Sequence, residues 1–108
     1  MKARYRLAPA AQQDIREHWH YIGIANHSPD AADRVVDLFF EKFELFATHP
    51  EIGELAHDFQ DIRPDMRLFP AGSYVIYYRP IDNNQIVEVL HVLRGERDAS
   101  VIIRGVRT

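Results

Sequence analysis

The sequence predicts an α+β fold in which a helical hairpin packs on a small, mostly antiparallel sheet. Two β-rich runs, 73–79 and 86–93, flank the sequence Pro80-Ile-Asp-Asn-Asn84, whose residues are typical of a turn. Two long segments that precede these runs, 9–25 and 29–48, carry apolar residues at helical spacing. The predicted order of elements is therefore β-α-α-β-β-β, followed by a short C-terminal helix or arm.

The length, composition and net charge of the chain limit the classes of protein to which it can belong. Its 108 residues suit a single domain over 1–108, and a hydrophobic fraction of 46% is enough to build a core. The absence of cysteine excludes disulfides and thiolate metal sites. Because no run of 18 apolar residues and no signal-peptide pattern is present, we expect a cytoplasmic protein without a membrane segment. A net charge of −3 argues against nucleic-acid binding by bulk electrostatics alone. We expect no direct sequence-specific nucleic-acid binding.

The first strand and the first helix follow from local patterns. Polar and apolar residues alternate over Arg4–Leu7, which indicates a strand with one packed face. Pro9 favours a helix start at that point. An apolar stripe at i, i+4 and i+7 then predicts a helix to about Ala25, and its members are Ile15, Trp19 and Ile22.

The second helix is expected from Pro29 to about Thr48, because Ser28 offers an N-cap hydroxyl immediately before a proline. Its apolar set is broad and has two interpretations. The helix is either wedged between the sheet and the first helix, or part of its apolar surface is left for a partner. In the second interpretation, the partner contacts aromatic residues of the helix and of the sheet: Phe39, Phe43, Phe46, Tyr74 and Tyr78.

The remainder of the chain is expected to form a three-stranded meander and a tail. Residues 54–65 have no clear period and are predicted to form a loop, and 65–69 is a strand candidate. Alternation over 86–93 predicts a strand covered on both faces, with Ile86, Leu90 and Val92 on one face and Val87, Val89 and Leu93 on the other. Residues 98–108 are expected to form a final helical turn or an arm.

No strong catalytic, cofactor or metal-binding motif is present, and we expect neither a cofactor nor a metal. One cluster of basic residues lies on or beside the meander: Arg63, Arg67, Arg79, His91, Arg94 and Arg97. Arginine and histidine that converge on a sheet face can bind a phosphodiester and move protons, as in a metal-free ribonuclease. The alternative is a set of local ion pairs where the last strand ends.

Several motifs in this order resemble the ParE toxins of type II toxin–antitoxin modules, within the wider RelE/ParE superfamily. The resemblance covers nearly the whole chain. Its segments are Tyr5-Arg-Leu-Ala-Pro-Ala-Ala11, His49-Pro50-Glu51-Ile52-Gly53, Met66-Arg-Leu-Phe-Pro-Ala-Gly-Ser-Tyr-Val-Ile-Tyr-Tyr-Arg79 and Ile86-Val-Glu-Val-Leu-His-Val-Leu-Arg-Gly-Glu-Arg-Asp98. The segment after Arg97 has no Tyr or His, which departs from RelE-type ribonucleases and favours the ParE branch.

The resemblance implies a toxin that inhibits DNA gyrase by binding and is neutralised by a cognate, ParD-like antitoxin. The residues then expected at the target are Arg94, Arg97, Asp98 and Ile102, with Arg67 and Arg79 as support, and the aromatic set above is expected at the antitoxin. The alternatives are a RelE-like messenger-RNA endoribonuclease that uses Arg63, Arg67, Arg79 and His91, and a non-toxic antitoxin-binding module. A homodimer and a toxin–antitoxin hetero-oligomer both remain open.

Overall fold

A hairpin of two eight-residue strands lies in the middle of a five-stranded sheet. The computed structural model describes residues 2–105, apart from the side chains of residues 96–98. The elements are β1 (Arg4–Leu7), α1 (Pro9–His20), α2 (Pro29–Thr48), β2 (Glu54–Leu55), β3 (Arg67–Ala71), β4 (Tyr74–Ile81), β5 (Ile86–Leu93) and α3 (Gly95–Arg104). A π-helical segment, Tyr21–Ala25, continues α1, and a 3₁₀ turn, His57–Phe59, follows β2.

The strand order across the sheet is β1-β5-β4-β3-β2. β1 runs parallel to β5, and the other three pairs are antiparallel. The α+β fold predicted from the sequence is therefore confirmed, as are the bounds of β1 and α2. Among residues 2–105, no helix combines the length and the apolar character that a membrane crossing requires.

The turn between β4 and β5 forces three successive residues into the left-handed region. Asp82, Asn83 and Asn84 have φ angles of 55°, 55° and 64°. The Gln85 amide closes the turn by donating to the Asp82 carbonyl oxygen at 3.1 Å. Aspartate and asparagine tolerate this conformation better than other non-glycine residues, which explains the composition of the turn.

The first core lies between the sheet and the α1–α2 hairpin. The ring of Phe46 stacks on Tyr78 at 4.1 Å, and Phe39 meets Tyr74 edge-on at 5.2 Å. Phe39, Phe43, Phe46 and Tyr78 are fully buried and Tyr74 is 7% exposed, so all five belong to the core. The structure thus supports the wedged-helix interpretation for the face of α2 that carries Phe39, Phe43 and Phe46, whereas Phe40 stays 38% exposed.

The Tyr78 hydroxyl ties the turn after α2 to the sheet. It accepts a hydrogen bond from the Gly53 amide at 2.8 Å and donates one to the Pro50 carbonyl oxygen at 2.9 Å. Burial raises the pKa of Tyr78 above its usual value of 10.0. A Cβ at position 53 would lie 2.7 Å from the Leu68 carbonyl oxygen, so glycine is needed for this close approach.

The second core covers the opposite face of the sheet beneath α3. Ala99 is fully buried there, and Ile103 packs against the same cluster, which also contains Phe59 and Tyr77. The short C-terminal helix or arm expected from the sequence is therefore a ten-residue helix, α3. The segment predicted as a loop over 54–65 contains β2 and the 3₁₀ turn, because Glu54 and Leu55 pair with β3.

A bulge in β5 overturns the predicted alternation of its side chains. Tyr77 is opposite His91 whereas Tyr78 is opposite Val89, so Leu90 is an extra residue in the ladder. Leu90 and Leu93 consequently belong to the second core, while Val92 joins Val87 and Val89 in the first. The prediction that Leu90 and Val92 share a face was wrong for this reason.

We expect Asn84→Val to lower the free energy of unfolding by about 1–2 kcal/mol, because a β-branched residue fits the left-handed region poorly. Asn84→Gly should leave that free energy equal or higher. Gln85→Val is the matched control outside the left-handed run. Urea denaturation of the three variants measures the difference, and equal losses in both valine variants would contradict the role of backbone strain.

We expect Tyr78→Phe to lower the free energy of unfolding by about 1–3 kcal/mol, since the Gly53 amide and the Pro50 carbonyl lose their shared partner. Tyr21→Phe removes the same hydroxyl from a side chain that is 53% exposed and should change little. Thermal or urea unfolding compares the two. A Tyr78→Phe protein as stable as the wild type would show that these hydrogen bonds are dispensable.

Candidate functional site

Arg79, one of the two strand arginines that sequence analysis placed in both candidate sites, is engaged by acidic side chains. Its Nε donates to Glu88 Oε1 at 2.9 Å, and its guanidinium nitrogen lies 3.7 Å from Asp65 Oδ2. Arg6 reaches the other carboxylate oxygen of Glu88 at 3.2 Å. The register places Arg6, Glu88 and Arg79 side by side across β1, β5 and β4. Together with Asp65, these three residues form what we call the charge ladder.

The charge ladder changes the ionisation of its central residue. The Glu88 side chain is 15% exposed, and this burial alone would raise its pKa. The hydrogen bonds and positive charges of Arg79 and Arg6 outweigh burial, so the pKa of Glu88 lies below its usual value of 4.5. Glu88 therefore stays ionised and occupies Arg79, which reduces the capacity of that arginine for an added anion.

Arg67 lies on the other face of the sheet and is also engaged. Arg67 on β3 pairs with Tyr78 on β4, and Arg79 is the next residue along β4. Because side chains alternate between the two faces of a sheet, the two arginines lie on opposite faces. A guanidinium nitrogen of Arg67 donates to the Gly53 carbonyl at 2.6 Å and to the Glu51 carbonyl at 3.3 Å. Arg67 thus stabilises the turn after α2.

His91 is held by an acidic residue that sequence analysis placed in no candidate site. Its Nδ1 lies 3.1 Å from Asp14 Oδ2 in α1, and the same oxygen accepts the Val92 amide at 3.0 Å. His18, one turn after Asp14, donates from Nε2 to the Val92 carbonyl at 2.7 Å. The i, i+4 spacing of Asp14 and His18 was visible in the sequence, but nothing in it showed that both face β5.

The Asp14–His91 pair has one clear chemical capacity. When Nδ1–H of His91 donates to the carboxylate, the Nε2 atom of the neutral ring carries the lone pair and can accept a proton. Arg63, the remaining member of the predicted ribonuclease set, is exposed, and no described residue forms an ion pair or hydrogen bond with its side chain. The structure therefore does not bring Arg63, Arg67, Arg79 and His91 into one cluster of free groups.

The C-terminal helix presents a different kind of surface. Arg94 lies at its N-cap and is exposed, and the apolar side chains of Val101 and Ile102 are 56% and 47% exposed. Two further residues expected at the target, Arg97 and Asp98, have side chains outside the described residues. The outer surface of α3 thus combines a cation with uncovered apolar area.

The inner side of α3 is anchored by Arg104, which sequence analysis missed. Its guanidinium pairs with Asp61 at 2.9 Å, binds the Asp58 carbonyl and stacks over the Phe59 ring at 5.3 Å from the ring centre. A cavity of about 770 Å³ lies between α3, the 54–59 segment and the sheet, and Tyr77 lines it with Arg104. Within the described residues, no three His, Asp or Glu side chains converge as metal ligands.

We expect Glu88→Gln to flatten the acid dependence of stability. A carboxylate whose folded pKa is depressed stabilises the fold above its unfolded pKa, about 4.5, and this contribution disappears as the pH falls through the folded pKa. Urea denaturation between neutral pH and the acid limit measures the difference from wild type. Glu17→Gln, at an exposed position of α1, is the control, and an equal effect in both variants would contradict the charge ladder.

Comparison with known proteins gives the family. The model of the ParE toxin of type II toxin–antitoxin systems, parDE, matches residues 5–99. Toxin ParE1 of Mycobacterium tuberculosis is 30% identical over 98 residues, which cover 91% of this chain and 95% of that protein. Toxin RelE3 of Caulobacter vibrioides is 33% identical over 73 residues, 68% of this chain and 75% of that protein.

A similar fold occurs in a solved structure of the chromosomal ParDE toxin–antitoxin system from P. aeruginosa. Its TM-score is 0.66 at 15% identity, and the match covers 88% of this chain and 98% of that chain. The residues that the family model matches, 5–99, include both long helices and all of the sheet except the first residue of β1. The chain therefore belongs to the ParE toxin family of type II toxin–antitoxin systems.

Proposed function

We propose that this toxin arrests growth by binding DNA gyrase and does not cleave nucleic acid. The observation that carries the proposal is the separation of the groups a ribonuclease would need. Arg67 and Arg79 lie on opposite faces of the sheet, and each is bound by groups of the chain itself. A phosphodiester-cleaving site requires cations and an acid–base pair converging on one reacting phosphate.

We place the target-binding surface on the outer side of α3. Arg94 supplies a cation at the start of this helix, and Ile102 supplies apolar area that the fold leaves uncovered. Arg97 and Asp98 belong to the same helix and are part of the proposed surface. A helix that combines an exposed cation with apolar anchors is suited to protein recognition, where arginine and buried apolar residues supply most of the binding free energy.

The proposed partner that neutralises the toxin is a cognate, ParD-like antitoxin in the cytoplasm. The family assignment supports it, as does the ParDE system in which the similar fold was solved. The five aromatic residues first expected at the antitoxin lie in the first core. We therefore propose that the antitoxin docks on other surfaces. The proposed assembly is a toxin–antitoxin hetero-oligomer.

The test is induced expression, with and without the antitoxin gene beside it, followed by a gyrase supercoiling assay on the purified toxin. Growth arrest that the antitoxin relieves, together with loss of supercoiling, is the expected outcome. Ile102→Glu should weaken inhibition at least about tenfold, which corresponds to about 1.4 kcal/mol of binding free energy. Arg34→Glu changes the charge of an exposed α2 residue and should leave inhibition unchanged.

One observation favours the second candidate, a RelE-like endoribonuclease, namely the Asp14–His91 pair with its available ring nitrogen. Growth arrest with intact supercoiling and cleaved messenger RNA would replace the gyrase proposal by this one. His91→Ala and Arg79→Ala would then abolish toxicity while the protein stays folded. Harmless expression of a folded protein that still binds the antitoxin would instead indicate a module without toxicity.

A further inference from the structure

Helix α3 begins directly after β5 and is too short to be stable through its own main-chain hydrogen bonds. Only Arg94 separates the end of β5 at Leu93 from the first helical residue, Gly95. Gly95 has a φ of 85°, a left-handed conformation that suits glycine and lets the chain turn out of the strand. A helix of ten residues is marginal in water, so α3 depends on contacts with the rest of the fold.

Apolar packing beneath α3 is incomplete. Ala99 is fully buried, and Ile103 is partly buried against the second core. Beside them lies the cavity of about 770 Å³, which Ser100 lines together with Val75 and Tyr77 of the sheet. Because a cavity supplies fewer contacts than packed side chains do, apolar packing alone holds the helix weakly in position.

The last turn of α3 is held by three groups that surround the Arg104 guanidinium. Its two terminal nitrogens donate to the two carboxylate oxygens of Asp61 at 2.9 and 3.1 Å. One of them also donates to the Asp58 carbonyl oxygen, and the guanidinium carbon lies 5.3 Å from the centre of the Phe59 ring. Such bidentate pairing fixes the orientation of an arginine more closely than a single contact does. We call the Asp58 carbonyl, the Phe59 ring and the Asp61 carboxylate the arginine cradle.

The segment that carries the arginine cradle is braced by its own main-chain hydrogen bonds. The Ala56 amide donates to the Met66 carbonyl oxygen at 2.8 Å, which closes the segment on itself. The amides of Phe59 and Arg63 donate to the carbonyl oxygens of Ala56 and Phe59, both at 2.9 Å. Phe59 is 5% exposed and meets Tyr77 edge-on at 6.0 Å. The cradle is therefore part of the folded body, and Arg104 joins the last turn of α3 to it.

The contact between Asp61 and Arg104 is an ion pair at neutral pH. The hydrogen bonds from Arg104 lower the pKa of the Asp61 carboxyl below its usual value of 3.8, and the Asp61 carboxylate raises the pKa of Arg104. An arginine in the last turn of a helix also lies at the negative end of the helix dipole. The contact thus depends on the sign of both charges.

The position of the last turn decides how the outer side of α3 is presented. Val101 and Ile102 are exposed and lie within three residues of Arg104 along the helix. The directions of their side chains relative to Arg104 are fixed only while the helix is formed. A surface that is ordered before its partner arrives loses less conformational entropy on binding and therefore binds more tightly.

We propose that Asp61 and Arg104 are positioning residues for target binding, because they hold α3 in the ordered position in which Ile102 faces the target. The inference rests on the proposed binding of gyrase. It adds to that function a pair of residues that act through the helix without touching the target. Reversal of either charge therefore weakens target binding, and reversal of both charges restores it.

The test is a charge swap in the whole chain. Asp61→Arg and Arg104→Glu each bring like charges together, and each should weaken inhibition of supercoiling at least about fivefold. The double variant Asp61→Arg/Arg104→Glu restores opposite charges and should inhibit within about twofold of the wild type. Asp37→Arg and Arg34→Glu make the same changes at exposed positions of α2 and should inhibit like the wild type.

Amide exchange followed by NMR gives the structural readout. In each single variant the amides of residues 99–103 should exchange faster than in the wild type, and in the double variant they should return to the wild-type rate. The amides of Val87 and Val89 in β5 should keep the wild-type rate in all three variants, which separates a local change at α3 from loss of the fold.

Single variants that inhibit as strongly as the wild type would overturn the inference, as would unchanged exchange over α3 in those variants. A double variant no better than either single variant would also overturn it, because the two side chains would then contact the target directly. Failure of the proposed function shows in the wild-type chain itself. A wild type that leaves supercoiling intact overturns the gyrase proposal, whereas exchange over residues 99–103 still decides whether Asp61 and Arg104 position the helix.

Discussion

The main-chain pairing of β5 is the constraint on which the rest of the structure depends. Val87, Val89 and Val92 of this strand are fully buried, and buried amide and carbonyl groups are costly without hydrogen bonds. β4 supplies them along one side and β1 along the first half of the other. The second half is supplied by Asp14 and His18, which fixes where α1 lies.

That arrangement also accounts for the position of α2 and the first core. Once α1 is anchored along β5, α2 packs beside it over the sheet, and Trp19 of α1 donates to Asp33 of α2 at 2.8 Å. The aromatic residues of α2 then fill the space above Tyr74 and Tyr78. The chain itself covers this core. The apolar face of α2 that packs on the sheet therefore does not imply a partner there.

The parts of the fold that the sequence predicted depend on local patterns. Alternation located β1, and the serine–proline pair at 28 and 29 located the start of α2, although the Ser28 hydroxyl makes no capping hydrogen bond. The bulge at Leu90 depends on the register between two strands, and a two-residue strand such as β2 has no period to detect. The expected short C-terminal helix or arm is the helix α3, which is stabilised by burial of Ala99 and by the anchor at Arg104.

Some members of the candidate site were predictable from the sequence, but their arrangement was not. Counting arginines near the meander identified Arg67 and Arg79. That they lie on opposite faces of the sheet follows from the register between β3 and β4. Glu88 is nine positions from Arg79 and belongs to the same hairpin, so this contact was within reach of pattern analysis. Asp14 is 77 positions from His91, and only the folded chain shows that they meet.

The parallel pairing of β1 with β5 has a consequence for synthesis on the ribosome. It joins residues near the beginning of the chain to residues 86–89, and closing such a long loop is slow relative to forming local structure. The first core is incomplete until β5 has emerged, because Val87, Val89 and Val92 belong to it. A nascent chain therefore cannot complete the first core before β5 has emerged, and until then the apolar faces of its helices are open to chaperones and proteases.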